Sequence, residues 1–289
     1  MCKLSYIDLH VHTTASDGTL TPGEVVSLAQ KKGLTAIAIT DHDTVWGIEE
    51  ALAAGKKTGV EIVPGIELSV AYEKGMHILG YYIDYKNLFL QNKIKELEQF
   101  RLQRNPLIIK KLNLLGLEIE LGEVEEIVSG NIMGRPHIAQ VMLKKGYVNT
   151  VNDAFAKYLA EGKPAYVEKK RISIQEAIAT IHSAGGCAVL AHPKYLGLSK
   201  EKLDLLLDEL ISYGLDGMEV YYGGHSLSEQ ICYKDLAVKK GLIMTGGSDF
   251  HGASKPEIKL GQGINKARFN LNLLDSLKSF AIDKERIFS

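Results

Sequence analysis

Two histidines lie two positions apart near the start of the chain, in the segment "YIDLHVHTTASDG". Side chains of a β-strand alternate between its two faces, so His10 and His12 point in the same direction. Asp17 follows five residues later. Two imidazoles on one face, with a carboxylate close by, suit the ligands of one metal ion. The rest of the sequence has to distinguish a metal site from two ordinary buried histidines.

Ligand-type residues recur at the ends of the other predicted strands. The nine candidates are His10, His12, Asp17, His42, Glu67, His77, His192, Asp249 and His251. In a parallel barrel the carboxyl ends of the strands lie on one rim, so residues far apart in sequence converge there. Imidazole and carboxylate without sulfur favour Mn²⁺, Zn²⁺ or Fe²⁺ over a structural zinc. At roughly three or four protein ligands per open catalytic ion, the set suits two or three divalent ions.

The elements that carry these residues alternate between strands and helices. "YIDLHVH" and "LTAIAIT" read as strands, and "TPGEVVSLAQKKG" reads as a helix with Thr21 at the N-cap, Pro22 first and Gly33 past the end. This alternation predicts an α/β fold with a mainly parallel sheet. His77 is near the start of the fourth strand, which fits a strand that is kinked or runs the other way.

The alternation of strands and helices stops between about Asn92 and Val167, where the sequence is charged and predicts helices. We therefore expect a discontinuous barrel from residues 1–92 and 168–289, with residues 93–167 as an inserted helical cap. The Gly-Arg-Pro-His stretch at 134–137 begins a helix in this cap. A helix N-terminus with an arginine is a ready anion site, so Arg135 and His137 are candidates for binding substrate phosphate.

Composition narrows the class of protein. The chain has 289 residues, 45% of them hydrophobic, and a net charge of -1, so no overall basic field attracts long nucleic acid. There is no apolar run of membrane-spanning length and no signal peptide pattern. Three separated cysteines fit neither a disulfide framework nor a zinc knuckle. We expect a cytoplasmic protein with no membrane contact and no obligate protein partner.

The segments "DLHVHTTASDG", "AITDHD", "PGIE", "AHP" and "GSDFHG" resemble the motifs of the PHP family, the polymerase and histidinol phosphatase superfamily. The resemblance covers nearly the whole chain and implies a distorted seven-stranded β/α barrel with up to three metal ions. It implies one ion on His10, His12, Glu67 and Asp249, a second on Glu67, His77 and His192, and a third on Asp17, His42 and His251. Some branches have a histidine at the position of Asp17. It also implies that Asp41 and Asp43 orient imidazoles from outside the ligand set.

The charges of such a centre indicate its substrate. Three divalent ions bring six positive charges, and the carboxylates of Asp17, Glu67 and Asp249 offset three of them. The excess favours an anionic substrate, and phosphate is the natural one. A metal-activated hydroxide, held by Glu67, Asp17 and His192, would attack phosphorus in line. Mn²⁺ is the favoured ion, with Zn²⁺ or Fe²⁺ as alternatives.

Three functions remain open at this point. The "GRPH" insertion resembles the branch of 3′,5′-nucleoside bisphosphate phosphatases and 5′→3′ exonucleases of short RNA, which predicts a phosphorylated nucleotide or short oligonucleotide as substrate. A phosphatase of a small metabolite such as histidinol phosphate is the first alternative, and it gives Arg135 no role. A non-catalytic, nucleic-acid-binding PHP module is the second. It is disfavoured because every metal position is filled.

Overall fold

The computed structural model describes residues 5–72, 75–127, 133–168 and 171–288. In this part of the chain eight strands form one sheet, in the order β7-β6-β5-β4-β3-β2-β1-β8. The strands are β1 Tyr6–Val11, β2 Leu34–Ile39, β3 Glu61–Ser69, β4 His77–Tyr81, β5 Cys187–Leu190, β6 Gly217–Tyr222, β7 Ile243–Gly247 and β8 Phe269–Asn270. The helices are α1 Pro22–Lys31, α2 Ile48–Thr58, α3 Leu88–Leu114, α4 Leu121–Glu125, α5 Arg135–Lys144, α6 Val151–Ala154, α7 Ile174–Ser183, α8 Lys200–Ser212, α9 Leu227–Lys240 and α10 Asn272–Phe288.

The sheet curls until its first and seventh strands meet. The amide of Asp249 donates to the carbonyl of His10 at 2.9 Å, and the amide of His12 donates to the carbonyl of Phe250 at 2.9 Å. Strands β1 to β7 therefore form the expected distorted seven-stranded barrel, and the α/β fold class is confirmed. Strand β8 is an unpredicted addition of two residues that pairs antiparallel with the start of β1. It is too short to show a period-two pattern in the sequence.

Strand β4 is the source of the distortion. It is antiparallel to both of its neighbours, β3 and β5, whereas β1–β2, β2–β3, β5–β6 and β6–β7 are parallel pairs. The reversal places the first residue of β4, His77, on the rim where the parallel strands end. The unusual position of His77 in its strand thus has the explanation that the sequence suggested.

Local signals place the first helix as expected. The Thr21 side chain accepts a hydrogen bond from the amide of Glu24, Pro22 begins α1, and Gly33 follows it with a φ of 70°. This capping box satisfies amides that have no partner within the helix. Short capped helices of this kind surround the barrel and bury one apolar face against it.

Helix α3 joins two apolar cores. Its first half buries Leu90, Ile94 and Leu97 in the main cluster of the barrel, and its second half buries Ile108 and Leu112 in a separate cluster. The separate cluster also includes apolar residues of α5, and its members lie between positions 108 and 167. No strand occurs between β4 and β5 among the described residues. The proposed boundary at 92/93 falls inside α3, and the division into barrel and cap domains stays a prediction.

No helix within the described ranges has the length and apolar character needed to cross a membrane.

Candidate metal centre

All nine ligand-type residues come together on the rim of the barrel. Glu67, at the end of β3, lies at the centre of the cluster and is completely buried. Its Oε1 is 2.8 Å from His77 Nδ1 and 2.9 Å from His192 Nε2. Its Oε2 is 2.9 Å from His42 Nδ1, 3.2 Å from His12 Nε2 and 3.4 Å from His10 Nε2. One carboxylate is thus shared by imidazoles from β1, β4 and the loops after β2 and β5.

Two further carboxylates complete the cluster beside Glu67. Asp249 Oδ1 lies 3.2 Å from His12 Nε2 and 3.6 Å from His10 Nε2. Asp17 Oδ1 lies 3.3 Å from His251 Nε2 and 3.8 Å from His12 Nδ1. Three groups have ligand atoms within 4.8 Å of one another: His12 with Asp17, His42 and His251; His10 with His12 and Glu67; and His42 with Glu67 and His77.

The carboxylates of this cluster are ionised at neutral pH. Burial acts to raise the pKa of Glu67, but the imidazoles of His42, His77 and His10 outweigh it and hold the pKa well below its usual range. His251 and His42 have the same effect on the pKa of Asp17, which burial alone would raise. A fixed negative charge therefore lies between the imidazoles, as a cation site requires.

Unsatisfied buried atoms indicate what the cluster holds. His10 Nε2, both ring nitrogens of His12, His42 Nδ1 and Glu67 Oε2 are buried and have no hydrogen-bond partner of good geometry. Each such atom costs about 1–3 kcal/mol when it is left unpaired. Lone pairs that converge from several strands are satisfied by a cation rather than by one another. The residues present therefore fit a metal centre.

Glu219, on β6, supports two of these histidines and was not predicted. Its Oε1 lies 3.0 Å from His10 Nδ1, and its Oε2 accepts the backbone N–H of His192 at 2.8 Å. A proton on His10 Nδ1 leaves Nε2 free to face the cluster, which is the usual arrangement of a carboxylate behind a metal-binding histidine. Glu219 also holds His192 at a φ of 25°, a rare backbone conformation. The one available signal was a charged residue in the apolar strand "GMEVYY".

Asp41 and Asp43 position the loops that carry ligands. Asp41 accepts hydrogen bonds from the Thr13 amide at 2.8 Å and from the Ser16 hydroxyl at 2.5 Å, so it shapes the loop that leads to Asp17. Its hydrogen-bond partners are loop amides and hydroxyls, and its expected role of orienting an imidazole stays a prediction. Asp43, at a φ of 53°, accepts from the Ser69 amide and forms an ion pair with Arg101 of α3.

A cavity of about 180 Å³ opens from the cluster towards the predicted cap. Residues from both sides line it: Ser16, Asp17, His42, Ser69, His77, Arg101, Arg104, Gly134, Arg135, Pro136, His137 and Phe155. The two predicted phosphate-binding residues, Arg135 and His137, are thus placed in the same cavity as three of the ligand-type residues. Arg101 and Arg104 were not singled out from the sequence. Their spacing of three places them on one face of α3, but arginines at this spacing are common on exposed helices.

Arg104 is the unusual member of the cavity. The residue is only 7% exposed, its Nε has no hydrogen-bond partner, and its Nη2 lies 3.5 Å from the amide oxygen of Asn105. Among the described residues no carboxylate forms an ion pair with it. Burial, together with the positive charges of Arg135 and Arg101, lowers the pKa of Arg104 to about 10. The guanidinium is therefore still charged at neutral pH and buried, and the carboxylate of Asp43 attracts it only from beyond ion-pair distance.

Arg135 and His137 are held by their own cap. Arg135 Nη1 donates to the carbonyl of Leu159 at 3.0 Å, and its guanidinium carbon lies 5.8 Å from the ring centre of Phe155 and 5.7 Å from that of Tyr166. His137 Nδ1 accepts the N–H of Gly134 at 3.1 Å. Burial lowers the pKa of His137, so its ring is neutral and carries its proton on Nε2.

Comparisons with known proteins agree with this geometry. The family model described as "PHP domain" matches residues 8–172. The chain is 34% identical to the "5'-3' exoribonuclease" of Haemophilus influenzae, covering 93% of this chain and 96% of the relative. It is also 34% identical to the "3',5'-nucleoside bisphosphate phosphatase" of Chromobacterium violaceum, covering 86% of this chain and 88% of the relative.

A solved structure from Bifidobacterium adolescentis, assigned as a metal-dependent phosphoesterase, superimposes with a TM-score of 0.85. Its sequence is 32% identical, and the match covers 95% of this chain and 96% of that one. The family resemblance inferred from the motifs is therefore confirmed, as is the expectation of an enzyme with candidate metal-binding clusters. The chain belongs to the PHP domain family and is a metal-dependent phosphoesterase.

Proposed function

We propose that the substrate is a nucleotide that carries one phosphate ester at its 3′ oxygen and a second phosphate at its 5′ oxygen. The observation that carries the proposal is the single cavity lined at one side by Asp17, His42 and His77 and at the other by Arg104 and Arg135. Two phosphates of one nucleotide can occupy the two ends of such a cavity. A single-phosphate substrate would leave the buried charge of Arg104 without a partner.

The metal centre is proposed to hold two or three divalent ions, with Mn²⁺ favoured over Zn²⁺ or Fe²⁺. The proposed sets are His10, His12, Glu67 and Asp249; Glu67, His77 and His192; and Asp17, His42 and His251. His12 is also within reach of the third set, because its Nδ1 faces Asp17 and its Nε2 faces Glu67. Bound ions would supply a water of lowered pKa and neutralise charge on the phosphate.

The arginines supply the contact with the phosphate that does not react. A guanidinium binds phosphate through two parallel, charge-assisted hydrogen bonds, each stronger than a neutral one. Arg101 already has Asp43 as its partner, whereas Arg104 has no carboxylate partner among the described residues. A phosphate would remove the cost of burying the Arg104 charge. His137 adds a neutral N–H donor to the same cavity.

One bond cleavage would serve both of the activities that the relatives' names describe. The oxygen of a water molecule adds to phosphorus, the bond between phosphorus and O3′ breaks, and O3′ takes a proton. A nucleoside 3′,5′-bisphosphate then yields a nucleoside 5′-monophosphate and inorganic phosphate. A 5′-phosphorylated RNA yields the same monophosphate and an RNA one nucleotide shorter, with a new 5′-phosphate. The two substrates differ only in the group on the far side of the scissile phosphate.

The test compares substrates that differ by the 5′-phosphate. Metal-loaded protein should hydrolyse adenosine 3′,5′-bisphosphate with a kcat/KM about ten- to over a hundredfold above that of adenosine 3′-monophosphate, since a charge-assisted contact contributes roughly 1.5–3 kcal/mol. Arg135→Ala should remove much of that preference and leave metal content unchanged. Hydrolysis of an aryl phosphate, which has no second phosphate, should change little in this variant.

Three outcomes count against the proposal. Equal turnover of the two adenosine nucleotides would mean that the arginines do not read the 5′-phosphate. A higher kcat/KM for histidinol phosphate than for any nucleotide would favour the small-metabolite alternative. A protein that retains Mn²⁺ and hydrolyses none of these phosphoesters would favour the non-catalytic, nucleic-acid-binding alternative.

A further inference from the structure

The rim of the barrel has a second side, formed by the segments that follow β5, β6 and β7. The cavity that contains Arg101, Arg104 and Arg135, here called the arginine cavity, is lined by the loops after β1 and β2, by the end of β3, by the start of β4 and by the region between β4 and β5. His192, Tyr222 and Asp249 belong to this second side and are not among the residues that line the arginine cavity. The β5–β7 side is therefore the part of the rim that is available to a substrate extending past the metal cluster, away from the arginines.

Tyr195 presents an aromatic ring on this side. The residue is 54% exposed, although its ring packs against the ring of His192 at a centroid distance of 5.2 Å. Its hydroxyl lies 3.0 Å from the hydroxyl of Tyr222, which donates to Asp249 Oδ2 at 3.0 Å. Tyr195 is thus held by a T-shaped ring contact with His192 and, through the hydroxyl of Tyr222, is linked to Asp249. A large apolar ring that is both held in place and open to solvent is a platform for stacking.

Lys255 adds a positive charge that contacts the same residue, Asp249. Lys255 Nζ donates to Asp249 Oδ2 at 2.9 Å, and the Lys255 side chain is 38% exposed. An ammonium group has three N–H donors, so this contact does not exhaust its capacity. The β5–β7 side therefore combines an exposed ring with a cation next to the cluster. Proteins that bind single-stranded nucleic acid use this combination without reading sequence.

We propose that Tyr195 stacks on the base of the second nucleotide when the substrate is a 5′-phosphorylated RNA, and that Lys255 offsets the charge of the backbone there. The inference rests on the proposed function, in which the first nucleotide fills the arginine cavity and its 3′-phosphate lies at the cluster. The cleavage is the one written above, and the second nucleotide leaves with the phosphate. The β5–β7 side thus contacts the second nucleotide of an oligonucleotide, and a nucleoside bisphosphate has no second nucleotide for it to bind.

The experiment measures one ratio in four proteins. The ratio is kcat/KM for a 5′-phosphorylated diadenylate divided by kcat/KM for adenosine 3′,5′-bisphosphate, in wild type, Tyr195→Ala, Tyr195→Phe and Tyr213→Ala. Tyr213 follows α8, at the opposite end of the barrel, and is the matched control. Because each variant is its own reference, a change in folding or metal content cancels in the ratio. Metal per chain is measured on the same samples.

Tyr195→Ala should lower the ratio by about 5- to 150-fold, which corresponds to roughly 1–3 kcal/mol for the stacking of one base on an aromatic ring. Tyr195→Phe keeps the ring and should keep the ratio within about twofold of wild type, and Tyr213→Ala should match wild type. The ratio should fall by similar factors on uridine and adenosine dinucleotides, because stacking tolerates all bases.

An unchanged ratio in Tyr195→Ala overturns the inference, and so does an equal fall in Tyr195→Phe, since that result would assign the effect to the hydroxyl and Asp249. A wild-type enzyme that hydrolyses the bisphosphate and not the dinucleotide also overturns it, while leaving the proposed function in place. Failure on both substrates would refute the proposed function itself, and the inference with it.

Discussion

Replacing Arg104 by methionine should stabilise the fold and at the same time weaken substrate binding. Most core substitutions lose both properties together, so this pair of opposite effects is diagnostic. The reason is the buried guanidinium, which is 7% exposed and has no ion-pair partner among the described residues. Methionine keeps a flexible apolar stem of similar length and removes the charge.

The shifted pKa sets the size of the stability effect. Burial, with Arg135 and Arg101 nearby, lowers the pKa of Arg104 from 12.5 to about 10. At about 1.4 kcal/mol per pKa unit, the charged form is destabilised by roughly 3.5 kcal/mol in the folded protein. This cost applies in full at pH 7, because the side chain is protonated in both the folded and the unfolded state. Imperfect packing of methionine offsets part of the gain, so we expect a net stabilisation of about 1–2 kcal/mol.

The assay combines melting and binding on metal-stripped protein, so that the metal centre contributes to neither measurement. The melting midpoint of Arg104→Met should rise by about 2–4 °C. Binding of adenosine 5′-monophosphate, followed by calorimetry, should weaken by about ten- to over a hundredfold. Arg101→Met is the matched control from the same helix face. It removes the ion-pair partner of the buried Asp43 and leaves the contact with the Ser69 amide, so it should lower the free energy of unfolding by about 1–3 kcal/mol and the melting midpoint with it.

The reasoning would be refuted by a fall in the melting midpoint of Arg104→Met comparable to that of Arg101→Met. That result would mean that Arg104 has stabilising contacts equivalent to an ion pair. Retention of wild-type affinity for adenosine 5′-monophosphate would show that the 5′-phosphate binds elsewhere.

Four further predictions concern the metal centre. Glu219→Gln should weaken metal binding by about 10- to 100-fold without unfolding the barrel, because it disturbs the proton on His10 Nδ1. The amount of metal retained after dialysis measures this effect. Retention equal to that of wild type would mean that His10 does not need the Glu219 carboxylate. Glu67→Gln should lose most of the bound metal, since it removes the charge shared by five imidazoles; elemental analysis showing two or three ions per chain would contradict it. Binding of Mn²⁺ to stripped protein at pH 7.5 should release protons, and the affinity for Mn²⁺ should increase as the pH rises to about 9. The reason is His12: burial acts to lower its pKa, but Asp249 and Glu67 outweigh burial and raise the pKa to about 9. Without metal, the stability contributed by protonated His12 should be present below about pH 6.5 and be lost as the pH rises through 9, which melting midpoints across that range would show.

Short segments at strand ends were enough to predict the fold class, the family and the nine ligand-type residues. Each candidate ligand lies within a motif of a few residues, and the carboxyl end of a parallel barrel strand lies on the common rim whatever the conformation of the loops. Even the reversed direction of β4 left a signal, because His77 begins its strand instead of ending it. Short sequence motifs were therefore sufficient to predict the candidate ligands.

The residues that support and surround the metal centre were decided by the tertiary structure. Glu219 lies 209 positions from His10 and resembles any other glutamate until β6 and β1 are placed together in the barrel. Arg104 looks like a solvated helix residue in sequence, and Tyr195 like an ordinary loop residue. Burial without an ion-pair partner, and exposure beside a ligand cluster, are properties of the space around a side chain. That space is filled or left open by elements distant in sequence, so no local pattern can record it.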